Sequence, residues 1–360
     1  MRLRDLRIGY VPYSEKLDHP ADRRRFPYYA GKRNIKFEFA DPSETYDLVY
    51  VSQSGDLTVW SEYQKGNAKV IYDFIDSYLA IPRSNLKGIF RGLAKYVSGQ
   101  HRYLRWDHWK ALEAMCQRAD AVVCSTSEQR QDILKFCQNV QIIIDIKSMY
   151  DQVKTDYSTG EYINLVWEGV PSTLPAFQEI REVLSYLKTK HKIALHLVTA
   201  LQYGQFAMGK FGKRNTADLV RDLFDFDEIY LYQWHEQLCS HIMSACDLAV
   251  IPIFPDDPLY WGKPEDKLLI LWRMGLPTIV SPTPAHLRAM EGAGLSMACG
   301  TQQEWIETLE HYMGDESARE EAGKKGRAFS LEYNSDEKIL KQWDDLFSSV
   351  ISCLHPNQKG

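Results

Sequence analysis

The sequence predicts an α/β protein of two Rossmann-like, doubly wound domains facing a cleft, with a C-terminal helix crossing back to the N-terminal domain. Three observations carry this. Short runs dense in Val, Ile and Tyr alternate with amphipathic stretches along the whole chain. A polar segment with Gly, Ser and Thr, Asp151–Gly160, divides that series in two. The 360 residues exceed the usual span of one domain, at roughly 150 residues each.

Strands buried on both faces of a parallel sheet read as continuous apolar runs. In the first half these are Ile8–Val11, Ile35–Phe39, Leu48–Val51, Val70–Tyr72, Ala121–Cys124 and Val140–Ile144. A helix is expected over Trp106–Arg118, where Leu112, Met115 and Cys116 share a face, and another after a cap at Ser125, Thr126 or Ser127. In the second half strands are expected at Ile163–Trp167, Ile193–Val198, Glu228–Leu231, Leu248–Ile253, Thr278–Val280 and Leu295–Ala298. Helices are expected at Ala176–Lys188, Ala217–Phe224, Glu236–Cys246, Asp266–Met274, Pro284–Glu291 and Gln303–Met313. The tail Ser335–Leu354 is one amphipathic helix with Ile339, Trp343, Leu346, Val350 and Leu354 on one face. The expected organisation is a domain over 1–150, a linker over 151–160, a second domain over 161–334, and a crossover helix and tail over 335–360.

Hydrophobic residues at 44% and charged residues at 25% exclude a disordered or low-complexity chain. A mean hydropathy of −0.38, with no apolar run long enough to span a bilayer, argues against a membrane-embedded protein. The first ten residues lack an apolar core, so no secretory leader is expected. A net charge of −5 gives no basic surface for nucleic acid. Seven cysteines without a CxxC pair suit a reducing, cytoplasmic location and provide no metal-binding pattern. No GxGxxG follows Ile8–Val11, which disfavours a dehydrogenase.

The run Cys246-Asp-Leu-Ala-Val-Ile-Pro-Ile253, a loop, then Lys263-Pro-Glu-Asp-Lys-Leu-Leu-Ile-Leu-Trp-Arg-Met-Gly-Leu-Pro-Thr-Ile-Val-Ser281 resembles the donor-site region of GT-B glycosyltransferases. It is most similar to the family 4 retaining group, and Arg118-Ala-Asp-Ala-Val-Val-Cys-Ser-Thr-Ser-Glu128 is similar to that group's last N-domain strand and helix. The resemblance implies a retaining, metal-independent transferase without a cofactor. It would move a sugar from a nucleoside-diphosphate sugar to a hydroxyl of a glycan or lipid-linked saccharide, in polysaccharide biosynthesis. The first domain would face the acceptor and the second would bind the donor.

The residues give this a physical basis. Lys263 and Lys267 flank a helix start, whose N–H groups and dipole favour phosphate oxygens and the charge that builds on a leaving diphosphate. The other reading is a solvated helix start with Asp266 as cap. Ser281, Thr283 and His286 lie in a second strand-to-helix loop expected at the same cleft. The chain also departs from the family: Gly262 and Ile270 stand where two donor-binding carboxylates belong. Glu265 or Asp266 can replace the first. No basic residue follows Trp167, so Lys210, Lys213 and Arg214 are candidates for phosphate, or simply a basic solvent loop. The missing carboxylates leave a second reading open, a non-catalytic glycan- or nucleotide-binding protein or an inactive transferase partner.

On the acceptor side the candidates are Tyr13, His19, Arg23 and Arg24. The arginines are suited to clamping a phosphate, or to a charged helix start packed on Asp18 and Asp22. Asp73 and Asp76 follow a strand end, where a carboxylate orients or deprotonates an acceptor hydroxyl, or caps the next helix. Arg83, Lys87, Arg91 and Lys95 recur every fourth residue in a stretch without acids. This stripe reads either as a peripheral docking surface on the inner face of a membrane or as the solvated face of a helix.

Overall fold

The computed structural model describes residues 2–83, 86–204 and 212–352, with backbone only for 86–90. The chain forms two compact units, residues 1–146 with 336–360 and residues 147–335.

The first unit is built on a six-stranded sheet. Its strands are β1 (Ile8–Val11), β2 (Glu38–Phe39), β3 (Leu48–Ser52), β4 (Lys69–Asp73), β5 (Ala121–Cys124) and β6 (Val140–Ile142). Their order is β2-β1-β3-β4-β5-β6 and every pair is parallel. All residues of β3 and β5 are buried, as their unbroken apolar runs require. The edge strand β2 is two exposed residues long, too short to template another chain. Thr126 is the cap of the helix after β5, its hydroxyl accepting the Gln129 N–H.

The tail helix, Asp336–Ile351, is part of this unit. It buries Ile339, Trp343, Leu346, Phe347 and Val350. Phe347 stacks on Tyr29 at 5.2 Å, Phe26 stacks on Tyr50 at 4.6 Å, and Arg33 pairs with Asp344 at 2.6 Å. The crossover read from the sequence thus has an aromatic seam as its cause. Beneath it, the fully buried Arg25 donates from Nε and Nη2 to both oxygens of Asp73, each at 2.8 Å, and from Nη1 to Asp145 at 2.9 Å.

The second unit carries β7 (Ile163–Glu168), β8 (Ile193–Thr199), β11 (Ile229–Gln233), β12 (Leu248–Ile251) and β13 (Thr278–Val280), in the parallel order β11-β8-β7-β12-β13. The run at 295–298 contributes only a bridge between Val280 and Ala298. A short antiparallel ribbon, β9 (Gln202–Gly204) with β10 (Lys213–Asn215), was not legible as strand, because all but one of its residues are exposed and polar patterning replaces apolar.

Two further features differ from expectation. The segment 151–160 is not a free tether: Lys154 N–H donates to Met274 O at 2.7 Å, and Tyr157 OH donates to Gly275 O at 2.8 Å. Arg319, itself buried, donates to Tyr157 O from Nε and Nη2. An eighteen-residue helix, Glu316–Tyr333, covers this region and was not anticipated. Gly323 and Gly326 weaken its apolar periodicity, yet they make its packing: a Cβ on Gly326 would sit 2.7 Å from the Trp272 ring, and one on Gly323 would strike Gly275 O. The two helices approach closely only because those side chains are missing.

Breaking a buried, fully paired ion strands its partner. Arg25→Met is expected to cost about 3–5 kcal/mol, read as a lowered urea midpoint of unfolding.

Candidate functional site

In an open parallel sheet ligands bind beyond the carboxyl ends of the strands where strand order reverses. In the second unit that point lies between β7 and β12. Glu168-Gly169 leave β7 there, Ile253–Pro255 follow β12, and Ser281–Thr283 follow β13.

Lys267, from the helix Asp266–Arg273, reaches this edge. Its Nζ lies 5.0 Å from the centroid of the Trp167 ring, a cation–π contact. A Cβ on Gly169 would collide with that ammonium, so glycine is required for the approach. Among the described residues Nζ has neither a hydrogen bond nor an ion pair. Burial pushes its pKa from 10.5 down to about 8; Glu168 opposes this and Lys263 adds to it. A half-buried cation without a contact anion suits an anionic ligand. Lys263 lies beside it, its Nζ 4.6 Å from the Tyr260 ring centroid.

His286 is buried and its Nδ1 lies 2.8 Å from Ser281 O, which makes Nδ1 the protonated nitrogen. Burial first, then Lys267, lowers its pKa to about 4, so the imidazole is neutral. Ser281 and Thr283 serve the loops: Ser281 Oγ accepts the Ile253 N–H at 2.9 Å, and Thr283 Oγ1 accepts that of His286 at 3.2 Å, capping the helix Pro284–Ala293. Both residues, with Phe254, Trp261 and Trp305, line a cavity of about 260 Å³.

The expected stand-ins for the missing carboxylates are engaged elsewhere. Glu265 is buried, hydrogen-bonds Tyr333, and has its pKa raised by burial. Asp266 accepts from the wholly buried Lys147 at 2.6 Å. Gly262 ends the short helix Pro258–Trp261, and Ile270 is a core residue at 4% exposure. Arg214 stands exposed on the β9–β10 ribbon, while Lys210 falls outside the described residues. Glu168, the carboxylate that acts on Lys267, was missed because it reads as the end of an apolar strand.

In the first unit the loop after β1 is organised by Asp22, also unforeseen in that role. It accepts from Tyr10 OH, from Tyr13 and Ser14 N–H, and from Ser14 Oγ. Tyr13 stacks on His19 at 5.1 Å, and His19 Nδ1 accepts the Ala21 N–H at 3.2 Å. Arg23 and Arg24 are half-buried on the helix Pro20–Arg24, whereas Arg25 is the one that enters the core. Asp73 is removed as an acceptor base, since it is wholly buried with both oxygens on Arg25. Asp76 remains at the strand end, exchanging two hydrogen bonds with the Gln53 amide.

The basic stripe does not form one exposed face. Arg83 pairs with Glu113, and Arg91 lies 4.1 Å over the Tyr78 ring and donates to its hydroxyl. Lys95 is half-buried, its pKa pushed down to about 8 by burial. The Lys87 side chain is outside the described residues. Packing wins over solvation here because Tyr78 and the helix His108–Arg118 cover the same face. Among the described residues no helix is long and apolar enough to cross a membrane, and no cluster of three or more His, Cys, Asp or Glu side chains is disposed to hold a metal.

After ¹³C-methylation of the lysines, two resonances are expected to titrate near pH 8, one lost in Lys267→Met and the other in Lys95→Met; Lys154, which burial also lowers, is assigned by Lys154→Met.

No family model and no curated protein matches the chain. Solved structures do. HepE of Anabaena, in complex with UDP-glucose, superposes with a TM-score of 0.62 at 12% identity, covering 96% of this chain and all (100%) of that one. A glycosyltransferase of Rickettsia africae gives 0.61 at 10% identity, covering 98% of each chain. TarM gives 0.59 at 13% identity over 83% of this chain, which spans about half (54%) of TarM's length. With its two parallel Rossmann-like sheets, the chain has the GT-B fold of glycosyltransferases.

Proposed function

We propose that the protein transfers a sugar from a nucleoside-diphosphate sugar to a hydroxyl of a glycan or lipid-linked saccharide, in the making of a polysaccharide. The observation that carries this reading is the half-buried Lys267 ammonium, without a contact anion, over Trp167 at the sheet's reversal point. As the bond from the anomeric carbon to the diphosphate breaks, negative charge gathers on the leaving phosphoryl oxygen. Lys267 and Lys263 hold that charge, with the N-terminus of the helix Asp266–Arg273 adding its dipole. Fixed cations in this role make a bound metal unnecessary, and the leaving phosphate itself can take the acceptor proton, which suits a retaining outcome. On the acceptor side Tyr13, His19, Arg23, Arg24 and Asp76 are the residues assigned. Support for the donor class comes from HepE, whose structures hold UDP and UDP-glucose, and from TarM of S. aureus, seen with UDP.

A second reading, a nucleotide-binding protein without catalysis, is favoured by one specific observation. Gly262 and Ile270 supply no carboxylate, and Glu265 and Asp266 are held by Tyr333 and Lys147.

A calorimetric panel of UDP-, GDP- and ADP-sugars separates the two. Saturable binding with release of the nucleoside diphosphate in the presence of an acceptor supports transfer; binding without turnover supports the second reading; no binding rejects both. Lys267→Ala is expected to weaken binding at least about tenfold with an unchanged melting temperature. Because the ammonium is the binding form, affinity in the wild type should persist below about pH 8 and fall above it.

A further inference from the structure

Four basic side chains of the first unit, Arg91, Lys95, His101 and His108, are gathered by the backbone into one place. The helix Leu86–Val97 ends in a turn where Lys95 O accepts the N–H groups of Gln100, at 2.9 Å, and His101, at 3.1 Å. Gly99 supplies the φ of +76° that this turn needs. Gly92 lets the following segment fold back, since a Cβ there would lie 2.7 Å from Trp106 O. His108 is then the first residue of the helix His108–Arg118, at the positive end of its dipole. The two imidazole rings come to 6.1 Å between centroids.

This cluster is incomplete as it stands. His101 is 2% exposed and neither ring nitrogen has a hydrogen-bond partner among the described residues. His108 is 4% exposed and its Nδ1 has none. Native proteins rarely bury polar nitrogens without a partner. Burial, then Lys95, depresses His101 to about 4; burial, then Lys95 and Arg91, depresses His108 to about 3. The surrounding carboxylates are committed. Asp56 accepts from Thr58 N–H, Thr58 Oγ1 and Arg102 N–H, Glu113 pairs with Arg83, and Asp76 holds Gln53 and Tyr78. Arg91, together with Lys95 below about pH 8, places positive charge beside two imidazoles, which repels a metal ion and attracts an anion.

We propose that Arg91, Lys95, His101 and His108 form a binding site for a phosphate-class oxyanion. On binding, the imidazoles take up protons, so that all four side chains donate. The anion is either free phosphate or a phosphodiester carried by a larger molecule such as the acceptor. The site lies in the unit that does not contain Lys267, so it stands or falls apart from the donor reading.

The test is NMR of the full chain labelled with ¹⁵N at histidine, titrated with inorganic phosphate and separately with dimethyl phosphate, in the wild type and in Lys267→Met. Resonances assigned to His101 and His108 are expected to move to the protonated position as phosphate is added near about pH 6. They should do so alike in both backgrounds, with affinity at least about tenfold weaker in Lys95→Met. Movement with inorganic phosphate alone assigns a free oxyanion, and movement with dimethyl phosphate too assigns a phosphodiester. Resonances unmoved by either anion overturn the proposal, and because this readout is taken on the unsubstituted chain, it does not depend on any variant folding.

Discussion

A parallel β-sheet has no face it can show to water, and most of this protein's design follows from that constraint. Helices must cover both sides, which leaves the strand ends as the places where side chains can meet a ligand. In the first unit the tail helix serves this end, as Trp343 and Phe347 join the Tyr29, Phe26 and Tyr50 aromatic group. In the second, the helix Glu316–Tyr333 uses two glycines to lie close over the helix that presents Lys267. Lys267 is therefore positioned by a rigid, covered element, which holds a binding group more firmly than a loop would.

Buried charge separates structure from function in this molecule. Arg25 is fully buried, and three of its N–H groups are spent on Asp73 and Asp145. Lys147, Lys154 and Arg319 likewise spend themselves on the second unit's own atoms or rings. Lys267 in one unit, half-buried, and the buried His101–His108 cluster in the other are the contrast: nitrogens with no contact anion. The cost of such groups is recovered only when something binds.

The sharp motif in the sequence was local, about the stretch from Cys246 to Ser281, while the fold it implied extends over nearly the whole chain. Its details fared unevenly. Lys267, in the first turn of an apolar helix, lies beside Trp167 and Gly169 at the end of β7. Asp73 did not remain available, because a carboxylate one residue past an apolar run looks the same whether or not an arginine from another helix covers it. Glu265 and Asp266 failed as substitutes for a similar reason: Tyr333 lies 68 positions and Lys147 lies 119 positions away in sequence. Of the basic stripe, Lys87, Arg91 and Lys95 fall on the helix Leu86–Val97 and Arg83 precedes it, while Arg91 packs on Tyr78 and Lys95 is half-buried.

What the sequence determined by itself was periodic and local: the strands, the caps, the two-part organisation and the amphipathic tail, since each depends on spacing between near neighbours. Tertiary structure decided which charges were spent and which were kept. Pairing of a buried ion is a matter of distance in space, and residues such as Arg25 and Asp73, 48 positions apart, meet only once the sheet has assembled.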